Sequence, residues 1–316
     1  MSFSVLGTGS YLPAKIVTNN DLTQLVDTSD EWITQRVGVK ERHICVNETA
    51  ADLAYQAALQ ALQNSGCQPE EIDLILAATV SGELISPSIS CQVQERLGIS
   101  CLAFDLNAAC SAFLFLLETA SGYFALGYQK ILVIGAERMS RLVDWHDRNT
   151  CVIFGDGAGA LLLGEGNNYL SSVFTVKGGS DVIKIPNFAG NSPYFLQSPE
   201  APYIQMNGQE TFKYAVNAIC QDVNALLRKE NLSMDQIDYI VPHQANKRII
   251  DLAGSKLHVS PEKFYLNIER YGNTSSASIP IALDEMNRNG LIKPGSLLLL
   301  TAFGGGLANA SCLLRW

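Results

Sequence analysis

The chain repeats one pattern of apolar and polar positions at an interval of 165 residues. Residues 50–65 carry apolar side chains at helical spacing and lead through 71–75 into a short apolar strand. The same order returns in 211–231 and 236–240. A repeat at a fixed interval predicts two similar units. Chance similarity between ordinary strand-helix units is the alternative.

Predicted strands later in the chain repeat at the same interval of 165 residues. The apolar run 130–135 returns at 295–300, and each run is followed by a glycine-rich turn and a second apolar strand, 154–163 or 303–314. Near-continuous apolar runs are typical of strands buried on both faces, and strands that alternate with helices favour a mostly parallel sheet. We expect two packed α/β halves, 1–165 and 166–316, with the boundary in the polar segment 164–177.

Composition narrows the class of protein. The net charge of -9 argues against a nucleic-acid binder, and the eight cysteines show neither a CxxC pair nor the spacing of a metal site. The N-terminus lacks the basic and apolar regions of a signal peptide. Residues 296–314 carry no charge, but a Phe-Gly-Gly-Gly turn interrupts them and predicts two strands rather than a membrane helix. We expect a cytoplasmic protein that does not bind membranes.

Cys110 is the candidate nucleophile. The segment 104–120 has the pattern of a strand, a tight turn of small residues and an apolar helix, and Cys110 falls where the helix begins. Unpaired N–H groups at a helix N-terminus stabilise a thiolate, so we expect a lowered thiol pKa. A small buried cysteine that lets helix and strand approach is the alternative, and it is the interpretation we give the other seven.

His243 and Asn273 are candidate partners of that cysteine. His243 follows a predicted buried strand, at the kind of strand end where sites of α/β proteins collect. Asn273 lies in a loop of small polar residues before a helix, and the repeat puts it opposite Cys110 in the second half. Taken singly, a structural histidine and a loop-capping asparagine are the better interpretations.

Together these segments resemble the β-ketoacyl-acyl carrier protein synthase III family over essentially the whole chain. The resemblance rests on the motifs 28–36 (TSDEWITQR), 105–111 (DLNAACS), 147–148 (DR) with 154–159 (FGDGAG), 242–246 (PHQAN), 272–275 (GNTS) and 303–306 (FGGG). It implies the thiolase fold, in which two duplicated α/β halves carry mixed or parallel five-stranded sheets with helices between and outside them. This agrees with the repeat.

The resemblance also implies a reaction. Cys110 would take the acyl group of an acyl-CoA primer. His243 and Asn273 would stabilise the enolate formed when malonyl-acyl carrier protein loses carbon dioxide. Backbone N–H groups of Cys110 and Gly306 would form an oxyanion hole, and the ring of Phe303 would direct decarboxylation. The family implies a homodimer without a cofactor or metal, since CoA thioesters are substrates.

Further residues are assigned by the same resemblance. Those expected to bind CoA are Trp32, Arg36, Arg148 and Asn246. Those expected to dock the acidic carrier protein are Lys213, Arg248 and Lys256, although a solvated helix face, with Lys247 and Asp251 as a simple i,i+4 pair, is the alternative. The acyl pocket is assigned to Ser86 and Phe212.

The chain departs from the family pattern at two positions. Ser86 stands where many members carry phenylalanine, and Asn309 where many carry tryptophan. The primer therefore stays open between acetyl-CoA and longer or branched acyl-CoAs. A polyketide-type or ester-forming enzyme using the same cysteine on another acceptor is the alternative function. A catalytically silent binding paralogue is disfavoured because all three candidate catalytic residues are present.

Overall fold

The computed structural model describes residues 2–187, 190, 193–194 and 200–316. The first half contains β1 (Ser2–Tyr11), β2 (Ile16–Thr18), α1 (Asn19–Leu22), α2 (Asp30–Arg36), β3 (Glu41–His43), α3 (Ala50–Ser65), β4 (Leu74–Ala78), α4 (Ile89–Leu97), β5 (Leu102–Leu106), α5 (Ala112–Ala125), β6 (Lys130–Arg138) and β7 (Asp156–Gly166). The second half contains β8 (Tyr169–Val176), β9 (Ile183–Lys184), β10 (Gln205–Met206), α6 (Gly208–Lys229), β11 (Tyr239–Pro242), α7 (Lys247–Leu257), α8 (Ile268–Tyr271), α9 (Ser278–Arg288), β12 (Leu297–Gly304) and β13 (Ala308–Arg315).

The first repeated helix begins and ends on clear local signals. Thr49 caps α3 by accepting from the Asp52 N–H, and the Asp52 carboxylate accepts from the Thr49 N–H in return. Gly66 ends the helix at a φ of 71°, a conformation that favours glycine. The buried face consists mostly of alanine, so α3 lies close against the first sheet.

The two main sheets share one strand order. The first runs β1-β7-β6-β4-β5, with β4 parallel to both β5 and β6 and the remaining pairs antiparallel. The second runs β8-β13-β12-β11, with β11 parallel to β12 and the remaining pairs antiparallel. Matching order and direction in both halves confirm the duplicated, mixed α/β architecture.

The second sheet has four strands within the described residues, not the expected five. The segment equivalent to β5 makes a single bridge, in which Phe264 pairs with Ile240 and the Tyr265 N–H donates to the Ile240 carbonyl over 2.9 Å. A 3-10 turn, Pro261–Lys263, precedes this segment and α8 follows it closely. The chain is therefore extended for too few residues to build a ladder.

The repeat interval also changes along the chain. Asp73 accepts from the N–H of Lys130, and Asp238 accepts from the N–H of Leu297, so Lys130 corresponds to Leu297. This interval is 167 residues, not the predicted 165. A two-residue difference preserves which face of a strand is buried, and the sequence pattern therefore did not reveal it.

Helices α5 and α9 lie between the two sheets and fill the central core. Apolar side chains of both helices, such as Leu114, Leu117 and Leu283, pack with residues of both sheets in one buried cluster. Helices α3 and α4 cover the outer face of the first sheet, and α6 and α7 cover that of the second. In the described part of the chain, no helix combines the length and apolar character that a membrane span requires.

Candidate active site

Cys110 lies in a 3-10 turn, Ala109–Ser111, that connects β5 to α5; we call this segment the N-half turn. The end of β12 packs against it so closely that a Cβ on Gly304 would lie 2.8 Å from the Cys110 nitrogen and 3.2 Å from that of Ser111. Only glycine permits this approach. The Cys110 residue remains partly exposed.

The thiol of Cys110 does not have the lowered pKa expected from its place before a helix. Burial raises the pKa of Cys110 to about 11, an interaction with the Ser275 hydroxyl opposes that rise, and the charge of Glu137 adds to it. Desolvation of the thiolate is the largest cause of this raised pKa. At neutral pH the group is a thiol, so its proton must leave as the sulfur attacks.

His243 follows the last residue of β11, and its backbone N–H donates to the Thr301 carbonyl on β12 over 2.8 Å. Its Nδ1 lies 2.7 Å from the Ser278 hydroxyl oxygen at the start of α9. The Phe303 ring and the imidazole form a T-shaped pair, with 5.6 Å between ring centroids and 67° between planes. Burial lowers the pKa of His243 to about 3, so the ring is neutral at physiological pH.

Asn273 is buried in the loop before a second 3-10 turn, Ser275–Ala277, which we call the C-half turn. Its backbone bridges to the other half, because its N–H donates to the Ile153 carbonyl and its own carbonyl accepts from the Gly155 N–H. The side-chain oxygen accepts from the Ser275 N–H over 2.8 Å. Among the described residues, no hydrogen bond restrains the side-chain nitrogen, which is thus available as a donor.

Contacts between the halves join the three candidate catalytic residues. The N-half turn packs against the C-half turn and against β12. Ser275 of the C-half turn donates its N–H to the Asn273 side chain, while Gly304 lies against the Cys110 nitrogen beside Phe303, whose ring meets His243. The thiol of a partly exposed cysteine, a neutral imidazole and a carboxamide therefore converge at one place.

Gly306 lies in the turn between β12 and β13, two residues after Gly304. Its φ of 144° is one that side-chain-bearing residues rarely adopt. The position therefore requires glycine, and its backbone conformation is set by the hairpin.

The four residues expected to bind CoA lie together on the surface. The Arg148 guanidinium carbon is 5.1 Å from the centre of the Trp32 ring, and that of Arg36 is 6.0 Å from it. The Asn246 amide donates to the Arg36 carbonyl over 3.1 Å and caps α7 by accepting from the Arg248 N–H. The indole face thus already contacts a guanidinium group. An adenine ring would have to displace this group or stack beside it.

A cavity of about 400 Å³ adjoins this cluster. Its lining includes Asp147 and Asn149, which flank Arg148, and Tyr203 and Gly208 from the second half. It does not include Cys110, His243 or Asn273. The cavity therefore belongs to the surface around Arg148.

Two family models match the chain. One describes 3-oxoacyl-[acyl-carrier-protein] synthase III and matches residues 104–181; the other describes the C-terminal part of the same enzyme and matches residues 227–316. The chain is 47% identical to a β-ketoacyl-[acyl-carrier-protein] synthase III of Clostridium acetobutylicum, over 100% of this chain and 99% of that protein. A relative of the same name in Xylella fastidiosa is 44% identical over 99% and 98% of the two chains.

Solved structures agree. A 3-oxoacyl-[acyl-carrier-protein] synthase III of Aquifex aeolicus superposes with a TM-score of 0.93 at 42% identity, covering 100% of both chains. The chain belongs to the β-ketoacyl-acyl carrier protein synthase III family. It is an acyltransferase of the thiolase fold.

The three basic residues expected to dock the carrier protein in this synthase III family member are exposed on α6 and α7. Arg248 extends over the Phe212 ring at 5.7 Å, and Lys213 pairs with Glu210 at 3.0 Å. Lys256 makes no ion pair with a described residue. Lys247 and Asp251 form the i,i+4 pair of the alternative interpretation, with 2.7 Å between nitrogen and oxygen.

The two residues assigned to the acyl pocket lie in different halves of the synthase. Ser86 is exposed on the loop between β4 and α4, beside Leu84 and Ile85, whose exposed fractions are 51% and 70%. Phe212 is partly buried on α6 under Arg248. Asn309, the second departure from the family pattern, is buried, accepts from the Tyr214 hydroxyl and donates to Asp222.

Three polar residues at the site of this synthase were not singled out from the sequence: Ser275, Ser278 and Glu137. The two serines lie in the small-residue stretch after Asn273, and Glu137 is the last residue but one of β6. A charged residue in the apolar run 130–137 was the one available signal, because a fully buried carboxyl requires partners. Within the described residues, no group of three His, Cys, Asp or Glu side chains could hold a metal ion.

Proposed function

We propose that this enzyme condenses an acyl-CoA primer with malonyl-acyl carrier protein and so initiates fatty-acid synthesis. The products are 3-oxoacyl-acyl carrier protein, CoA and carbon dioxide. Two observations support the proposal: full-length similarity to β-ketoacyl-acyl carrier protein synthases III, and the convergence of Cys110, His243 and Asn273 from both halves.

In the first half-reaction, the Cys110 sulfur attacks the primer's thioester carbonyl. A carbon-sulfur bond forms to the enzyme, the bond to CoA breaks, and the CoA thiolate takes up the proton that Cys110 loses. The N–H groups of Cys110 and Gly306 stabilise the oxyanion that exists after the sulfur has attacked and before the bond to CoA breaks. Each such donor typically contributes about 3 to 4 kcal/mol to lowering the barrier. The tight contact of Gly304 with the N-half turn supports this role, since it holds the Cys110 N–H rigidly.

In the second half-reaction, His243 and Asn273 donate hydrogen bonds to the malonyl thioester carbonyl. The bond to the carboxylate breaks, carbon dioxide leaves, and the electron pair of the broken carbon-carbon bond forms an enolate. The enolate carbon attacks the acyl-Cys110 carbonyl, the carbon-sulfur bond to Cys110 breaks, and the released thiolate takes up a proton from solvent. A neutral imidazole and an unrestrained carboxamide nitrogen support these roles. The Phe303 ring against His243 excludes water and favours departure of the carboxylate.

CoA binds at the surface cluster. Adenine lies between Trp32 and Arg148, Arg36 meets the phosphates, and Asn246 lines the pantetheine path. The stacking of both guanidinium groups on the indole supports an adenine site, because the same face and planes suit a nucleobase. No cofactor takes part, and the CoA thioesters are substrates.

The carrier protein docks on Lys213, Arg248 and Lys256. All three are exposed on neighbouring helices, and Arg248 is held over Phe212 rather than by a carboxylate. Arg248→Glu should slow the carrier-protein step and make it less sensitive to salt, while the CoA step persists. Lys293→Glu is a matched control, since it lies before β12, at the opposite end of the sheet from α7. Equal effects of the two substitutions would refute the docking site.

In a homodimer, Ser86 and Phe212 form part of the wall that surrounds the acyl chain. The exposure of Leu84, Ile85 and the edge strand β5 supports pairing of two copies, since apolar groups of this kind are usually covered. If Ser86 sets the depth of the pocket, Ser86→Phe should shift kcat/KM toward acetyl-CoA in a series from acetyl-CoA to decanoyl-CoA. An unchanged profile would refute that role. Light scattering gives the oligomeric state.

The enzyme acts in the cytoplasm. All eight cysteines are free, which suits a reducing compartment.

The decisive experiment follows both half-reactions by intact mass. Acyl-CoA should add one acyl group to the wild-type protein at Cys110, and malonyl-acyl carrier protein should then remove it as 3-oxoacyl-acyl carrier protein. Acyl transfer to another acceptor, with no such product, would favour the polyketide-type or ester-forming alternative. Relatives matched at 44–47% identity over nearly the whole chain do not favour that alternative.

A further inference from the structure

The Ser278 hydroxyl is the hydrogen-bond partner of the buried His243 ring. Its oxygen lies 2.7 Å from Nδ1, and both residues are almost fully buried. No hydrogen bond to a described residue is made by Nε2, the other ring nitrogen. A neutral imidazole carries one proton, and the nitrogen that holds it decides which side of the ring donates.

Counting donors around Ser278 separates the two tautomers. The Gln244 N–H points to the Ser278 oxygen over 3.4 Å and acts as a donor. If Nδ1 carried the proton, that oxygen would accept two hydrogen bonds, and its own O–H would have no acceptor among the described residues. If Nε2 carries the proton, Ser278 donates to Nδ1 and both donors around the Ser278 oxygen are satisfied; the one unpaired donor is then Nε2–H, which is not among the fully buried atoms without a partner. Burial makes the first arrangement costly, because the Ser278 O–H would be left without an acceptor away from water.

The surrounding frame keeps this geometry rigid. The Gln244 side chain donates to the carbonyls of Pro242 and Tyr265 and accepts from the N–H groups of Asn267 and Ile268. Ser278 is the first residue of α9, which is packed between the two sheets. Neither the peptide after His243 nor the hydroxyl can therefore move easily.

We infer that Ser278 is a positioning residue that donates to Nδ1 of His243 and so places the imidazole proton on Nε2. This inference rests on the proposed function, in which His243 donates to the malonyl thioester carbonyl. Loss of the hydroxyl should leave both tautomers populated and the ring free to turn. The acyl transfer to Cys110 needs no donor from His243 and should persist.

The test combines a spectroscopic and a kinetic measurement. In protein labelled with ¹⁵N at its histidine rings, two-dimensional NMR distinguishes protonated from unprotonated ring nitrogens, and His243→Gln identifies the His243 signals among the four histidines. Wild-type His243 should show a protonated Nε2 and an unprotonated Nδ1. In Ser278→Ala, this pattern should be lost, and condensation should fall at least about tenfold, with acyl transfer to Cys110 within twofold of wild type.

Two further variants make the result specific. Ser311→Ala removes a buried serine hydroxyl that bonds Thr301 and not the imidazole, so it should keep the tautomer and both rates. Ser278→Thr keeps a hydroxyl and should restore both readouts at least in part. A proton on Nδ1 in the wild type would overturn the inference even if Ser278→Ala did not fold. An unchanged tautomer or an unchanged condensation rate in a folded Ser278→Ala would also overturn it.

These outcomes are separable from failure of the proposed function. The tautomer is measured without any substrate. A wild-type protein that shows the Nε2 proton but forms no 3-oxoacyl product would refute the proposed reaction and the kinetic part alone.

Discussion

The N-half turn and the C-half turn have the same backbone shape and different chemistry. Each is one 3-10 turn that leads into a central helix, α5 or α9. Each begins with a left-handed residue that is not glycine, Ala109 at a φ of 48° or Ser275 at 50°. Cys110 therefore corresponds to Ser276, three residues after Asn273.

The opposing strand accounts for the difference. The C-half turn faces Glu137 near the end of β6, and the Ser276 hydroxyl donates to that carboxyl over 2.8 Å and points to the Ala78 carbonyl at 3.1 Å. The N-half turn faces Gly304 at the end of β12, which has no side chain to bind the thiol. Hydrogen bonds thus hold the Ser276 hydroxyl in place. The Cys110 thiol has no side chain at Gly304 to bind it and stays available. In the proposed mechanism, the residue that faces each turn from the other half thus decides which copy of the repeat can react.

We expect the largest effect from removing the thiol of Cys110. Cys110→Ala should reduce acyl transfer on the order of a thousandfold or more, while malonyl decarboxylation persists, because in the proposed mechanism His243 and Asn273 stabilise the enolate. His243→Ala should do the reverse. Radiolabelled acyl-CoA and carbon dioxide release measure the two activities. Near wild-type condensation by acyl-loaded His243→Ala would contradict this division of roles.

Gly304→Ala tests the glycine that leaves the thiol free. Its methyl group would lie 2.8 Å from the Cys110 nitrogen, so the N-half turn must shift, and we expect acyl transfer to fall roughly a hundredfold. The matched control is Gly305→Ala, whose methyl group would meet its nearest neighbour, the Ala109 Cβ, at an ordinary 3.6 Å. Acyl-enzyme formation is followed by rapid quench. Equal rates in the two variants would exclude close packing at Gly304 as a requirement.

Ser276→Ala tests the tied residue. Glu137 would lose one donor in a fully buried site, so the free energy of unfolding should fall by about 1 to 3 kcal/mol, with acyl transfer changed less than severalfold. Cys110→Ala should show the opposite balance, with little change in stability. Denaturant unfolding of both variants, alongside the acyl-transfer assay, gives the comparison. A Ser276→Ala protein that is as stable as wild type but inactive would reverse our assignment of the two turns.

The smallest expected effect concerns a buried polar contact between the outer helix α6 and the second sheet. In the first half, Ala57 on α3 and Ala158 on β7 belong to one buried apolar cluster. The corresponding positions of the second half hold Asp222 and Asn309, whose amide donates to the carboxyl over 2.5 Å. Burial raises the pKa of Asp222 from 3.8 to about 6. Between these pH values the folded protein retains a proton that the unfolded chain has released. The stability associated with this group is therefore full below about pH 4 and is lost as pH rises through 6.

Asp222→Asn should remove the loss of stability that occurs as pH rises through 6. Relative to wild type, we expect a gain of about 1 to 3 kcal/mol in unfolding free energy at pH 7.5, and little change at pH 4. Urea unfolding at the two pH values measures it. Asp238→Asn, which alters an acid that accepts from the Leu297 N–H, serves as the control. A gain of equal size at both pH values would show that titration of Asp222 is not the cause.

Much of the fold was predictable from the sequence, because its signals are periodic and local. The repeated helix-strand pattern predicted two α/β halves, and the glycine turns predicted the paired strands β6-β7 and β12-β13. That the described residues of the second sheet form four strands and not five was not predictable, since Phe264 and Tyr265 have a suitable pattern and only the turns on either side limit their pairing. The change of interval from 165 to 167 was hidden for a similar reason, as it leaves the buried face unchanged.

By itself, the sequence determined the duplicated fold, the family, and the candidate residues Cys110, His243 and Asn273. Only the tertiary structure decided the state of those residues. The high thiol pKa of Cys110 results from desolvation, and desolvation depends on what packs around the group. The partners of His243 and Ser276 lie 35 and 139 residues away in the chain. Hydrogen bonds between such distant residues follow from how the two halves pack, and no local pattern encodes them.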